Sequence, residues 1–213
     1  MTTITRRTPV HFDVRPVDSI QRDDWTVVLE YENEGQGPHL VDLSHCARWD
    51  LQNRDVGRFT PAGVAVPGAP GRCACQNGVM INRMNRTQAS IWHLAGESVE
   101  VPAQSAYTDV TEATVFLALF GPDVFAICEK LSALDLGRPN QETPALIQGP
   151  FAHVPCQIVV AADSDPQAGI LLTCSRGYAH DMAHAIQDAG AEYHLRPAGE
   201  RRFQAWLKDC FQG

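Results

Sequence analysis

At 213 residues, 44% hydrophobic and 20% charged, the chain is long enough to bury a proper core in one large or two small domains. A formal charge of −8, a pI near 5.4 and no basic run longer than pairs such as Arg6-Arg7 and Arg201-Arg202 argue against binding to a phosphate backbone, so nucleic acid is not an expected partner. No stretch approaches the roughly 20 apolar residues that span a bilayer, the first ten residues lack a signal peptide's apolar segment, and seven cysteines, an odd count, read as reduced thiols; these features point to a cytoplasmic protein with no membrane partner.

Residues 1–24 mix Thr, Arg and Asp with little periodicity and are expected as an extended N-terminal arm. Trp25 to Tyr31 (WTVVLEY) has strand composition, and Glu32 to Pro38 is a polar turn with two glycines. Leu40 to Leu43 and Arg48 to Leu51 read as short strands, with a helical turn over Asn53 to Phe59. From Thr60 to Gly71, Pro61, Pro67 and Pro70 alternate with Gly63, Gly68 and Gly71, which excludes regular structure. Val79 to Arg83 and Ala89 to Leu94 form a hairpin around Asn85-Arg86-Thr87, with Ile81, Ile91 and Leu94 facing the core. Residues 97–106 connect to the second half.

There, Thr114 to Phe120 is a nearly unbroken apolar run of the length expected for a strand covered on both faces. Gly121 breaks it, Pro122 suits a first helical position, and Asp123 sits beside the positive helix end. Val124, Ile127, Cys128 and Leu131 then recur at helical spacing. A loop over residues 134–144, with Gly137, Pro139 and Pro144, leads to a hairpin of residues 145–148 and 157–161, and Gly169 to Thr173 adds a strand. A helix follows, capped by Ser175 and ended by Gly190, with Tyr178, Met182, Ala185, Ile186 and Ala189 on its apolar stripe. The last helix, Ala198 to Cys210, presents Phe203, Trp206, Leu207 and Cys210. Asp42-Leu43-Ser44 is echoed by Asp109-Val110-Thr111, and each is followed, thirteen and fourteen residues on, by Asp-Val (Asp55-Val56 and Asp123-Val124). The echo points to duplication. The expectation is an α+β protein of two related lobes, residues 25–96 and 97–213, each a small antiparallel sheet packed with helices.

Residues with chemical potential each have a plainer reading. His180 and His184 lie four apart on a helix, as two zinc ligands would, but the apolar stripe occupies the other side and no third ligand shows a recognisable spacing. Cys73 and Cys75 offer two thiols, too few for a tetrahedral site, and read as loop cysteines. Cys46 follows His45, yet neighbours on a strand point to opposite faces, so the pair is not expected to meet. Asp109 and Glu112 read as solvated charges at a strand end. No phosphate-binding glycine pattern occurs. The sequence therefore assigns no catalytic residue and no metal ligand.

The succession of Asp-Val-Thr-Glu (109–112), an apolar strand, Gly121-Pro122 and an amphipathic helix resembles the second half of the folate-binding fold of glycine cleavage T-proteins. Asp42-Leu43-Ser44-His45 is similar to that family's Asp-Val-Ser-His, residues 81–94 fit its strand hairpin, residues 169–190 fit its strand and helix, and Arg196-Pro197-Ala198-Gly199 with Arg202 fits its entry to the next helix. Within the family the chain most resembles the gamma subunit of heterotetrameric sarcosine oxidase. It departs from the pattern at Asn53-Arg54, where the family often has Gly-Pro. It also ends before the further barrel domain of a full aminomethyltransferase. Asn82 and Asn85 match only part of the T-protein's Asn-x-x-Asn run, and Ala89 stands near where its catalytic acid would fall. The resemblance implies a non-catalytic accessory subunit of a sarcosine oxidase or a related N-methyl amino acid oxidase or dehydrogenase, with flavins on larger partner subunits. The alternative is a freestanding tetrahydrofolate-binding protein of one-carbon metabolism. A metal or redox enzyme using Cys73, Cys75, His180 and His184 is a third class.

Overall fold

The computed structural model describes residues 5–96, 99–138 and 142–211. The expected arm at 1–4, connection at 97–98 and loop at 139–141 fall outside these residues. Strands β1 (Pro16–Arg22) and β2 (Trp25–Tyr31) form a hairpin. β3 (His39–Asp42), β4 (Arg48–Gln52), β5 (Cys73–Gln76), β6 (Val79–Arg83), β7 (Gln88–His93), β8 (Tyr107–Asp109) and β9 (Thr114–Phe120) follow. After β9 come helix α1 (Val124–Leu131), strands β10 (Ala145–Phe151), β11 (Val154–Ala162) and β12 (Gly169–Ser175), helix α2 (Ala179–Gly190), the short β13 (Arg196–Pro197) and helix α3 (Glu200–Phe211).

Two sheets stack. One has the order β10-β11-β12-β9-β3-β13, antiparallel except for the short β13–β3 pair, and the other β5-β6-β7-β4-β8. The α+β architecture of antiparallel sheets and helices is the one expected. β9 explains the unbroken apolar run from Val115 to Phe120. Val115, Leu117 and Leu119 face a core closed by α1 and α2, while Phe116, Ala118 and Phe120 face a second core shared with Met80, Trp92 and α3. The outer face of the five-stranded sheet is covered by the irregular segment after β4, through Val56, Val64 and Val66. That segment is loop as expected, with single 3₁₀ turns at Val56–Arg58 and Pro61–Gly63.

Each sheet draws strands from both sides of residue 96, because the echoed motifs carry the chain between sheets in opposite directions: β3 to β4 and β8 to β9. In both, the Asp side chain closes a turn by accepting a backbone N–H: Asp42 Oδ1 from Ser44 (2.9 Å) and Asp109 Oδ1 from Thr111 (2.8 Å). The following hydroxyl then reaches the other copy. Ser44 Oγ accepts from the Phe116 N–H (3.3 Å) and Thr111 Oγ1 from the Arg48 N–H (2.9 Å), while the Leu43 and Val110 N–H groups donate to the Phe116 and Arg48 carbonyls. Each turn thus makes an equivalent pair of bonds to the strand that follows the other turn. The Asp-Val echo also has counterparts: Asp55 and Asp123 each precede a helical turn, and Val56 and Val124 are fully buried behind them.

Several local expectations change. Residues 16–22 are a strand, and Val10 and Phe12 before it are buried, so the described N-terminal segment is anchored at these points although most of its residues are exposed. α1 begins at Val124; Pro122 lies before the helix, and Asp123 adopts a left-handed conformation (φ 61°). Gly121 (φ +111°) is the hinge, where a Cβ would come within 2.9 Å of the Gly37 carbonyl oxygen. Ser175 makes no capping bond, since a 3₁₀ turn (Arg176–Tyr178) precedes α2 and rotates its buried stripe to Ala179, Met182, Ala183 and Ile186, leaving Tyr178 48% exposed. The hairpin of β10 and β11 is longer than expected and closes on Ala152-His153, both at positive φ (47° and 66°), the two-residue turn that matches strand twist. Because His153 is exposed there, His153→Gly relieves left-handed strain and is expected to raise unfolding free energy by roughly 1 kcal/mol, measured by urea denaturation.

Candidate functional site

The two crossing turns, the β1–β2 turn and residues 99–101 converge on a cavity of about 530 Å³. His45, next after Ser44 in the first turn, forms its floor. Asp109 and Thr111 of the second turn line it, as do Asp23 and Asp24, which occupy the β1–β2 turn at positive φ (48° and 66°).

Beneath the floor lies a buried charge cluster. Glu200, the first residue of α3 and 5% exposed, accepts two parallel bonds from Arg22 (2.7 and 2.9 Å) and one from His45 Nε2 (3.0 Å). Its place in the first helical turn adds the favourable end of the helix dipole. Burial opposes the Glu200 charge, but the bonds from His45 and Arg22 outweigh it and hold the carboxyl at about 2. Burial likewise opposes protonation of His45; the neighbouring Cys46 sulfur and the Glu200 carboxylate override it and raise the imidazole to about 10. Gly96 (φ +72°) covers the pair, and a Cβ there would collide with both the Glu200 carboxylate and the Arg22 guanidinium. His45 is therefore an imidazolium at neutral pH, a fixed cation and hydrogen-bond donor rather than a general base.

The separation expected of His45 and Cys46 does not occur. The chain turns at residues 44–46 instead of running as a strand, so Cys46 Sγ lies 3.6 Å from His45 Nε2. Both the sulfur and the carboxylate approach the same ring nitrogen, which is not the relay of a nucleophile triad, where base and orienter use opposite nitrogens. His45, Cys46 and Glu200 also place three ligand-type atoms within 4.8 Å of one another, but Arg22 already occupies both Glu200 oxygens.

The other sequence candidates are scattered. His180 and His184 are exposed with rings stacked 6.4 Å apart, beside Asp181 (3.5 Å) and Asp188 (3.1 Å). Cys73 and Cys75 are half-buried on β5, and burial pushes their thiols up to about 12 and 11, away from thiolate reactivity. Asp109 closes its turn while Glu112 pairs with Arg6 at 2.9 Å, so the two carboxylates do not act together. Asn82 is buried beside Ser90 (3.4 Å), and Asn85 caps the β6–β7 turn through the Thr87 N–H (2.8 Å). Sequence reasoning missed Arg22 and Glu200. They lie 178 residues apart, one in the supposed arm and one at a helix start, and no local pattern joins them.

No protein-family model and no curated protein matches the chain by sequence. Among solved structures, a chain of the heterotetrameric sarcosine oxidase from Corynebacterium sp. U-96, in complex with pyrrole 2-carboxylate, superposes with a TM-score of 0.58 at 17% identity. The match covers 72% of this chain and 84% of that one. Aminomethyltransferase T of the glycine cleavage system from Bartonella henselae superposes with a TM-score of 0.56 at 15% identity, over 88% of this chain and 57% of that one, so the chain spans a little over half of that protein. At these identities the likeness is one of fold, and the chain has the T-protein-like α+β fold of antiparallel sheets and helices.

Proposed function

We propose that the chain is a small, non-catalytic subunit of a multi-subunit oxidase or dehydrogenase acting on N-methyl amino acids such as sarcosine. The observation that carries this reading is one of extent: the matched chain of heterotetrameric sarcosine oxidase is covered over 84% of its length, whereas the aminomethyltransferase continues well beyond the match. The site agrees in kind. His45 is held as a cation, Cys73 and Cys75 are masked as thiols, and the cavity cations Arg22 and Arg6 are neutralised by Glu200 and Glu112. Flavin and substrate chemistry then belong to the larger subunits. The test is purification of the tagged chain from its native cytoplasm. Co-elution in fixed ratio with larger flavin-bearing chains that oxidise an N-methyl amino acid is the expected result; a lone monomer at native concentration would overturn the reading.

The cavity favours a second reading, a tetrahydrofolate-binding protein. At about 530 Å³ it falls within the range of small-molecule sites, and Asp23, Asp24, Glu100 and Asp109 supply carboxylates that can accept from a pterin's N–H groups. Calorimetry of the isolated chain with tetrahydrofolate decides it: saturable one-to-one binding that Asp109→Asn weakens supports it, and no heat of binding removes it.

A further inference from the structure

Seven thiols are free in the described chain, and two of them face each other across a strand pair. β11 and β12 run antiparallel with Gln157 opposite Thr173, so the next pair in register sets Cys156 directly opposite Cys174. Opposed residues in an antiparallel pair have Cα atoms about 4.5–5.5 Å apart, inside the 4.4–6.8 Å window a disulfide requires. Both side chains point to the same face, into the core under α1 and α2, and are 6% and 4% exposed. They sit where β12 ends, between the exposed Pro155 and Ser175, so the pair lies near the rim of the sheet rather than at its centre.

No other cysteines share this placement. Cys73 and Cys75 are two apart on one strand, opposite Asn82 and Met80. Cys128 lies on α1 and Cys46 beside His45.

We propose that Cys156 and Cys174 form a peroxide-responsive dithiol, oxidised to an internal disulfide that fastens β11 to β12. This inference stands independently of the oxidase reading. The neighbouring Cys156 thiol holds Cys174 below the usual thiol range while Cys174 pushes Cys156 up, which favours Cys174 as the attacking sulfur. The Cys174 thiolate attacks one oxygen of hydrogen peroxide and the O–O bond breaks, giving the sulfenic acid and hydroxide. The Cys156 sulfur then attacks the Cys174 sulfur. The S–S bond forms, the S–O bond breaks, and water leaves with the thiol proton. In sum, two thiols and one peroxide yield one disulfide and two waters. The bridge closes a loop of nearly twenty residues already held by strand pairing, so its stabilising effect is placed on the unfolded chain.

The purified full-length chain is treated with stoichiometric hydrogen peroxide, alkylated and mapped by peptide mass spectrometry. The expected result is one Cys156–Cys174 linkage, five cysteines still alkylated out of seven, and a Tm roughly 6–12 °C higher that reverts with dithiothreitol. Cys156→Ser is expected to remove the linkage and accumulate a Cys174 sulfenate that dimedone traps. Cys174→Ser is expected to leave Cys156 as thiol. Seven alkylated cysteines after peroxide, a linkage between any other pair, or a sulfenate at Cys156 in place of Cys174 would each overturn the proposal.

Discussion

Arg48→Ala is expected to lower unfolding free energy by about 4 kcal/mol. Arg48 is 1% exposed and has no carboxylate partner among the described residues; its guanidinium donates instead to backbone carbonyls of both crossing turns, Cys46 at 2.5 Å, Thr111, and Thr114 at 2.9 Å, and its Nε to Thr114 Oγ1 at 2.9 Å. It also lies over the Phe116 ring at 5.3 Å. Burial lowers its pKa to about 10, which measures how strongly the site opposes the charge. The charge is retained because a planar five-donor fork reaches the carbonyls of two turns at once. Truncation strands several buried carbonyls, each costing roughly 1–3 kcal/mol before water enters. Lysine is not a substitute, since one ammonium cannot span both turns. Arg48→Lys is therefore expected to recover less than half of the loss in urea titrations. Recovery to within about 0.5 kcal/mol of wild type would show that charge rather than geometry is what the junction needs.

The same junction shows what a single sequence can disclose. The paired Asp-x-Ser/Thr motifs are legible because each closes its own turn within three residues, and β9 is legible because both its faces are apolar. What the motifs do together is not legible: Ser44 reaches Phe116 over 72 residues and Arg48 reaches Thr111 over 63, distances that no periodicity spans. The β1–β2 hairpin is hidden, and the β10–β11 hairpin reads too short, for a local reason. The turns at Asp23-Asp24 and Ala152-His153 require left-handed backbone at both residues, but neither dipeptide carries the glycine that advertises it. Asn77-Gly78 does carry that signal (φ 51° and 71°), yet the four-residue β5 before it is too short to show alternation. The charge cluster is hidden most completely. Arg22 looks like one more basic residue of a polar segment, and Glu200 like an ordinary acidic residue in the first turn of a helix.

Glu200→Gln tests that cluster and is expected to cost about 3 kcal/mol at pH 6, because it leaves the Arg22 guanidinium and the His45 imidazolium buried without their anion. The pH dependence separates this from a packing defect. Glu200 is depressed to about 2 from 4.5, so its contribution is present above pH 4.5 and is lost as pH falls through 2. His45 is raised to about 10 from 6.5, so its contribution is present below pH 6.5 and is lost as pH rises through 10. Both contributions are complete only between pH 4.5 and 6.5. Wild-type stability is thus expected to decline from pH 6.5 toward 10. In Glu200→Gln part of that slope should vanish, because His45 keeps the larger raising influence of Cys46 but loses that of the carboxylate, and burial then pulls its pKa down. The gap between the two proteins therefore narrows as pH rises without closing, since Arg22 still pairs with Glu200 in the wild type. Urea titrations across that range, with the His45 ring followed by NMR, check both halves. A gap constant with pH, or a wild-type His45 titrating near 6.5, would mean that the imidazole is neutral and the floor of the cavity uncharged.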